Sequence, residues 1–152
     1  MEYYIPILYY SKGGKTKTLA KRIHEIFTAI APKNFKIEMM SATEPNWEAL
    51  KKAAAFIIGT PDYFSYPAGQ IKIFFDEFYE SRNELKDRPV FGFVTHGGTG
   101  KAIKPLQELC SSLKLKIITP FISLENEINA KMEAQIQKHC VQIIDLIKAK
   151  EN

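Results

Sequence analysis

Two glycines and two hydroxyl residues follow an apolar segment near the start of the chain, in the run Ser11-Lys12-Gly13-Gly14-Lys15-Thr16. Residues 5–10 before it are almost continuously apolar, which is typical of a buried parallel strand. After it, apolar residues recur at helical spacing up to residue 30, so the run joins a strand to a helix. Backbone N–H groups at a helix start lack intrahelical acceptors and attract anions. The run therefore predicts a phosphate-binding loop.

Length and composition indicate an ordinary globular protein. The chain has 152 residues, of which 45% are hydrophobic and 25% charged, so we expect one domain spanning residues 1–152 with a substantial core. The first residues do not form a positively charged region followed by a long apolar run and a cleavage site, and no apolar stretch approaches 18 residues. We therefore expect a cytoplasmic protein without a membrane span.

The distribution of charged, cysteine and histidine residues indicates neither a nucleic-acid surface nor a metal site. The net charge is +4, but lysines alternate with acids along the helices, so we predict no nucleic-acid binding. Cys110 and Cys140 lie on the apolar stripes of predicted helices and are expected in the core. Their spacing predicts no metal site. We expect His24 and His139 at the surfaces of their helices.

Apolar and amphipathic segments alternate along the whole chain in the pattern βαβαβαβαβα. Strands are predicted at about residues 3–10, 35–40, 53–59, 89–94 and 117–122, and a loop over residues 60–67. This pattern predicts an α/β fold, a three-layer doubly wound sandwich around a five-stranded parallel sheet with strand order 2-1-3-4-5. Ligands of such sheets bind outside the carboxyl ends of the strands, where the strand order reverses.

Three loops at those carboxyl ends have specialised compositions. Residues 11–16 suit a phosphate, residues 60–66 contribute Tyr63, Phe64 and Tyr66, and residues 95–100 are rich in glycine. Because the strands before these loops are neighbours in the predicted order, the loops should converge on one site. A phosphate loop beside aromatic side chains and open backbone predicts a mononucleotide ligand.

The chain resembles flavodoxin-type FMN proteins along nearly its whole length. The run from Ser11 to Thr16 resembles the hydroxyl-rich phosphate loop of that family. The segment from Gly59 to Phe64, with Gly69-Gln70 and Phe75-Asp76, is similar to the NAD(P)H:quinone oxidoreductases of the tryptophan-repressor-binding-protein type. The resemblance implies FMN as cofactor and these FMN-binding residues: Ser11, Lys12, Gly13, Gly14, Lys15, Thr16, Thr60, Pro61, Asp62, Tyr63, Phe64, Thr95, His96, Gly97 and Gly98.

The implied function is electron transfer between a reduced donor and a redox partner protein or a quinone, with no catalytic side chain required. The third loop lacks an aromatic residue, so one face of the flavin would be open to NAD(P)H or a quinone. That feature favours an NAD(P)H:quinone oxidoreductase, although the long insertion that such reductases use in tetramer assembly is missing. The sequence leaves open the choice between carrier and enzyme, and the oligomeric state.

Parts of the sequence are compatible with three other functions. Gly14-Lys15-Thr16 ends like the phosphate loop of nucleotide triphosphatases, but Tyr9 stands where that loop needs its first glycine. A receiver-type signalling domain would need an acidic residue at the end of the first strand, which has Tyr-Tyr-Ser instead. A flavodoxin-like scaffold that acts through protein contacts without FMN is the third alternative.

Individual residues within the predicted site have two interpretations each. His96 contacts the flavin or faces solvent, and Lys12 and Lys15 pair with the phosphate or remain solvated. Asp62 either lies near the ring, where its charge would lower the flavin potential, or serves as a turn residue. Trp47 is expected to pack the short second helix.

Overall fold

A computed structural model describes residues 1–151. Its strands and helices alternate over most of the chain. The strands are β1 (Tyr3–Tyr9), β2 (Phe35–Ser41), β3 (Phe56–Tyr63), β4 (Tyr66–Pro67), β5 (Pro89–Thr95), β6 (Lys116–Ile117) and β7 (Ile122–Leu124). The helices are α1 (Lys15–Ile30), α2 (Trp47–Lys51), α3 (Gly69–Phe78), α4 (Arg82–Leu85), α5 (Ile103–Ser112) and α6 (Ala130–Glu151), with a 3₁₀ turn at Tyr79–Ser81.

The sheet has the strand order β2-β1-β3-β5-β6, and β7 also pairs with β5. All of these pairs are parallel. The predicted α/β fold and the order 2-1-3-4-5 are confirmed. The predicted loop over residues 60–67 is wrong in part, because β3 continues to Tyr63 and forms an antiparallel hairpin with β4.

The fifth position of the sheet is occupied by two short strands, β6 and β7, where the sequence predicted one strand over residues 117–122. Both pair with β5, β6 near its start and β7 near its end. Between them, the amide of Ile118 still donates to the carbonyl of Val90, but Thr119 and Pro120 are exposed. Pro120 has no N–H to donate, so the ladder is interrupted there.

Helices cover both faces of the sheet, as adjacent residues of β5 show. Phe91 packs against His139 of α6, with ring centroids 5.1 Å apart. A Cβ on Gly92, the next residue, would meet the side chain of Leu106 in α5 at 2.8 Å. Since successive strand residues point to opposite faces, α5 and α6 lie in different layers.

His139 is buried, with 1% of its surface exposed, so its predicted surface position is wrong. Its Nε2 lies 2.6 Å from the carbonyl oxygen of Pro120, and its ring packs on Phe91. The strand interruption at Pro120 supplies an acceptor that the linear sequence did not reveal. Burial lowers the pKa of His139, and the hydrogen bond to Pro120 opposes this effect.

The two cysteines, Trp47 and His24 all contact the interior of the protein to some extent. Cys110 and Cys140 are buried free thiols, as predicted. Trp47 packs edge-on against Phe78 with ring centroids 5.7 Å apart, so α2 rests on the end of α3. His24 is half-buried, and its ring nitrogen lies 3.0 Å from the carbonyl oxygen of Ile37. Within residues 1–151, each helix is too short or too polar to span a bilayer.

Candidate functional site

A groove of about 400 Å³ lies at the carboxyl ends of β1, β3 and β5. All of its lining residues belong to the candidate set from the sequence, and they come from all three predicted loops. They are Ser11, Lys12, Gly13, Lys15, Thr16, Pro61, Asp62, Tyr63, Thr95, His96 and Gly97. The strand order brings these loops together, because the three strands before them are adjacent in the sheet.

The first loop presents backbone to the groove at the start of α1. Gly14 adopts a left-handed conformation with φ of 97°, and its amide donates to Ser11 Oγ over 3.1 Å. No side chain caps the helix, so the amides of its first turn are available to an anion. A Cβ on Gly13 would have no neighbour within 4 Å, which leaves space in front of the loop.

Lys15 and Thr16 connect this loop to the end of the sheet. The hydroxyl oxygens of Thr16 and Thr95 lie 2.7 Å apart and are buried. Lys15 Nζ donates to the carbonyl oxygens of His96 and Glu125. These bonds hold the start of α1 against the loops that follow β5 and β7.

In the second loop, Thr60 supports the backbone and does not line the groove. Its side chain is fully buried; its hydroxyl donates to the carbonyl of Pro61 over 2.8 Å and accepts from the amide of Ala68 over 2.9 Å. The bond from Ala68 holds β3 against the start of α3, and the bond to Pro61 is local to the strand. The structure therefore gives Thr60 a role in shaping the loop.

Asp62 also holds backbone, through both of its carboxylate oxygens. Oδ1 accepts from the amide of Ser65 over 2.8 Å, within the hairpin turn. Oδ2 accepts from the amide of Ala102 over 3.1 Å, just before α5. Asp62 thus lines the groove and links the second loop to the third, which agrees with its interpretation as a turn residue.

The aromatic residues of the hairpin point in different directions. Tyr63 lines the groove, and its ring meets the edge of Tyr10 with centroids 6.3 Å apart. Phe64 lies at the hairpin tip with φ of 57°, is fully exposed and does not line the groove. Of the two aromatic residues in the implied FMN-binding set, the structure therefore brings only Tyr63 to the groove.

His96 shapes the third loop by bonding to the loop itself and to β7. Its Nδ1 accepts from the amide of Gly98 over 3.3 Å, so Nε2 carries the proton and donates to Ser123 Oγ over 2.8 Å. A Cβ on Gly97 or Gly98 would have no neighbour within 4 Å. Gly97 therefore lines the groove with open backbone, together with Tyr63 and Asp62.

Sequence reasoning missed the contribution of the loop after β7. Ser123 holds the His96 ring, and the carbonyl of Glu125 accepts from Lys15. The predicted strand order already placed the fifth strand beside the fourth, so its following loop could have been added to the site. The fifth strand was predicted to end at residue 122, two residues before β7 ends, so the position of the following loop was not recognised.

A larger cavity of about 630 Å³ lies at the opposite edge of the sheet, between the starts of β1 and β5 and the end of α6. Its Arg88 donates to the carbonyl oxygens of Lys51, Ala53 and Glu84. That guanidinium therefore ties backbone segments together. None of the predicted site residues lines this cavity.

The family model named Flavodoxin matches residues 7–142, a range that includes all three loops of the groove. The chain belongs to the flavodoxin family. A comparison with curated proteins found no match to this chain.

Solved structures share the flavodoxin fold at low sequence identity. An archaeal flavodoxin is 19% identical with a TM-score of 0.81, and the match covers 95% of this chain and 99% of that one. A WrbA-like flavodoxin from Agrobacterium tumefaciens is 18% identical, with a TM-score of 0.78 and coverages of 97% and 99%. Rubredoxin oxygen:oxidoreductase from Desulfovibrio gigas is 18% identical with a TM-score of 0.83. That match covers 97% of this chain and only 36% of the other protein.

Proposed function

We propose that this flavodoxin-family protein binds FMN in the groove and transfers electrons between a reduced donor and a protein or quinone acceptor. The observation that carries this proposal is the convergence of three loops with different chemistry. One offers uncapped helix amides, another an aromatic ring and a third open glycine backbone. Together these match the phosphate, the ring and the polar edge of a flavin mononucleotide.

The phosphate would be held by the first loop. Space in front of Gly13 lets a phosphate approach the amides of the first turn of α1, whose dipole favours negative charge. Ser11 accepts one hydrogen bond from Gly14 and keeps its own hydroxyl proton for a phosphate oxygen. Lys12 is exposed and adds positive charge at the mouth of the groove.

The ring would lie between the second and third loops. Tyr63 offers an aromatic surface, and the backbone of Gly97 offers a hydrogen-bonding amide without a side chain in the way. When bound, FMN supplies the hydride or electron chemistry. The protein residues orient it, and the charge of Asp62 disfavours an anionic reduced ring.

NAD(P)H:quinone oxidoreductase activity is the second candidate, and one observation favours it. The third loop carries no aromatic side chain, and its glycines at 97 and 98 are exposed. One face of the ring would then be open to a nicotinamide or a quinone. Steady-state turnover of NADH or NADPH with a quinone would support the enzyme, whereas reduction only by a partner reductase would support the carrier.

Flavin binding is tested by titrating the protein with FMN and following the quenching of flavin fluorescence. Gly13→Leu should abolish binding, because its side chain would fill the phosphate position. Gly69→Leu is the matched control: a Cβ at Gly69 also meets nothing within 4 Å, but Gly69 lies outside the groove. Absence of quenching with the wild-type protein would reject FMN binding and favour the scaffold alternative, while Mg²⁺-dependent ATP hydrolysis would favour the nucleotidase.

A further inference from the structure

Lys15 joins three separate loops through a single ammonium group. It is the first residue of α1, and its Nζ donates to the carbonyl oxygen of His96 over 3.0 Å and also to that of Glu125. His96 follows β5, and Glu125 follows β7. The ammonium therefore links the first loop to the third loop and to the loop after β7.

Lys12 lies three residues earlier in the same loop, but its ammonium group is not tied to other parts of the described chain. The side chains of both lysines are exposed, but within residues 1–151 Lys12 has no hydrogen bond or ion pair, whereas Lys15 donates to two carbonyl oxygens. Lys15 has two of its three N–H donors committed to backbone carbonyls. A lysine that served mainly as a phosphate ligand would have those donors free.

The backbone held by Lys15 is the part of the third loop that faces the groove. The carbonyl of His96 is fixed by Lys15, while its ring is fixed by Ser123 and by the amide of Gly98. Beyond this point, residues 97–99 are exposed. Glycines in an exposed segment have wide conformational freedom, so these anchors determine the shape of the loop.

We infer that Lys15 is a positioning residue that holds the third loop in the shape required to contact the flavin ring, and that it is not a phosphate ligand. This inference rests on the proposed function. The two lysines of the first loop therefore have different roles. Lys12 adds positive charge to the groove, and Lys15 holds the third loop in place. That role also explains why a lysine occurs at the first helical position, where its charge opposes the helix dipole.

The test compares FMN with riboflavin, which has the same ring but no phosphate. Lys15→Met should weaken both ligands by the same factor, about tenfold, because both charge-assisted hydrogen bonds that hold the loops are lost. Lys15→Arg keeps the charge and the donors and should recover much of the riboflavin affinity. Lys17→Met is the control, because Lys17 is an exposed lysine of the same helix outside the groove. A loss confined to FMN would overturn the inference.

Amide hydrogen exchange of the protein without flavin gives a second, independent readout. Lys15→Met should speed exchange at residues 96–99 and leave the core strands unchanged. Unchanged exchange at residues 96–99 would overturn the inference, and so would faster exchange throughout the protein, which indicates a general loss of stability. If the wild-type protein binds neither FMN nor riboflavin, the proposed function fails, while the exchange data still show whether Lys15 orders the loop.

Discussion

The hydroxyl groups of Thr16 and Thr95 lie 2.7 Å apart in a buried position, and they connect the first turn of α1 to the end of β5. Each hydroxyl has one proton and can accept as well as donate. One of them donates to the other, and the accepting threonine keeps its proton for a further acceptor. The pair thus fixes the first loop against the sheet and leaves one donor beside the groove.

Replacing Thr16 by valine should destabilise the protein, because Thr95 would lose its partner while remaining buried. The expected loss is about 1–3 kcal/mol of unfolding free energy, measured by urea denaturation. Thr16→Ser, which keeps the hydroxyl, should cost much less. A larger loss in Thr16→Ser than in Thr16→Val would show that packing of the methyl group, and not the hydrogen bond, stabilises this contact.

The hairpin tip should become more stable when its two left-handed residues are replaced by residues that adopt a positive φ more readily. Phe64 and Ser65 have φ of 57° and 63°, as in a type I′ turn, a geometry that favours Asn-Gly. Phe64 is fully exposed, so its loss removes no burial. The double variant Phe64→Asn, Ser65→Gly should gain about 1 kcal/mol in thermal or urea denaturation.

A glycine introduced within a helix should instead lower the free energy of unfolding. Ser111 is exposed within α5, where glycine is unfavourable, so Ser111→Gly should cost about 0.5 kcal/mol. Destabilisation by the hairpin variant would contradict the strain argument and indicate that Phe64 contributes contacts of its own.

Stability should fall as the pH is lowered below the ordinary histidine range, because of His139. Burial lowers the pKa of His139 in the folded protein below its unfolded value of about 6.5, so the unfolded state binds the proton more readily. The penalty is absent at higher pH and develops as the pH falls from about 6.5 toward the folded pKa. Urea midpoints measured from pH 7.5 to pH 5 should show this decline.

The variant His139→Gln should flatten that pH profile. Glutamine does not titrate, and its amide offers a donor for the carbonyl of Pro120 in place of Nε2. His24→Gln serves as the control, since His24 is only half-buried, and should keep the wild-type slope. A profile unchanged by His139→Gln would assign the acid sensitivity to other groups.

The midpoint potential of bound FMN should rise when Asp62 is replaced by asparagine. The substitution removes a negative charge from the groove wall and so favours the anionic reduced flavin, by on the order of tens of millivolts. Spectroelectrochemical titration measures this shift. Asp76→Asn removes an exposed carboxylate of α3 that does not line the groove and should have little effect. Equal potentials for Asp62→Asn and the wild type would rule out this electrostatic role.

The sequence was sufficient to predict the order of the strands and the edge of the sheet that carries the site. Continuous apolar runs, such as residues 53–59, marked central strands, and helical periodicity marked the segments between them. Parallel strands joined by right-handed crossovers leave few arrangements, and their carboxyl ends necessarily share one edge. The loops at residues 11–16, 60–66 and 95–100 therefore had to be neighbours.

Strand ends and hairpins were less predictable because they depend on single hydrogen bonds. Pro120 interrupts the strand predicted over residues 117–122, while β3 continues beyond Gly59 because β5 and then β4 offer it partners. Local composition does not record such pairing, since the partner residue comes from another segment. The same reason explains the wrong prediction for His139, whose acceptor is a carbonyl exposed by the interrupted strand.

By itself, the sequence determined the topology, the glycine-bearing loop at the start of α1 and most residues of the groove, because these depend on periodicity and on residue types that act locally. Only the tertiary structure decided what each side chain does there. Lys15 reaches two distant carbonyls, Asp62 holds two amides, and Thr60 turns into the interior. These roles arise from contacts between residues far apart in the chain, and the direction of a long or branched polar side chain follows from the acceptors that folding brings within its reach.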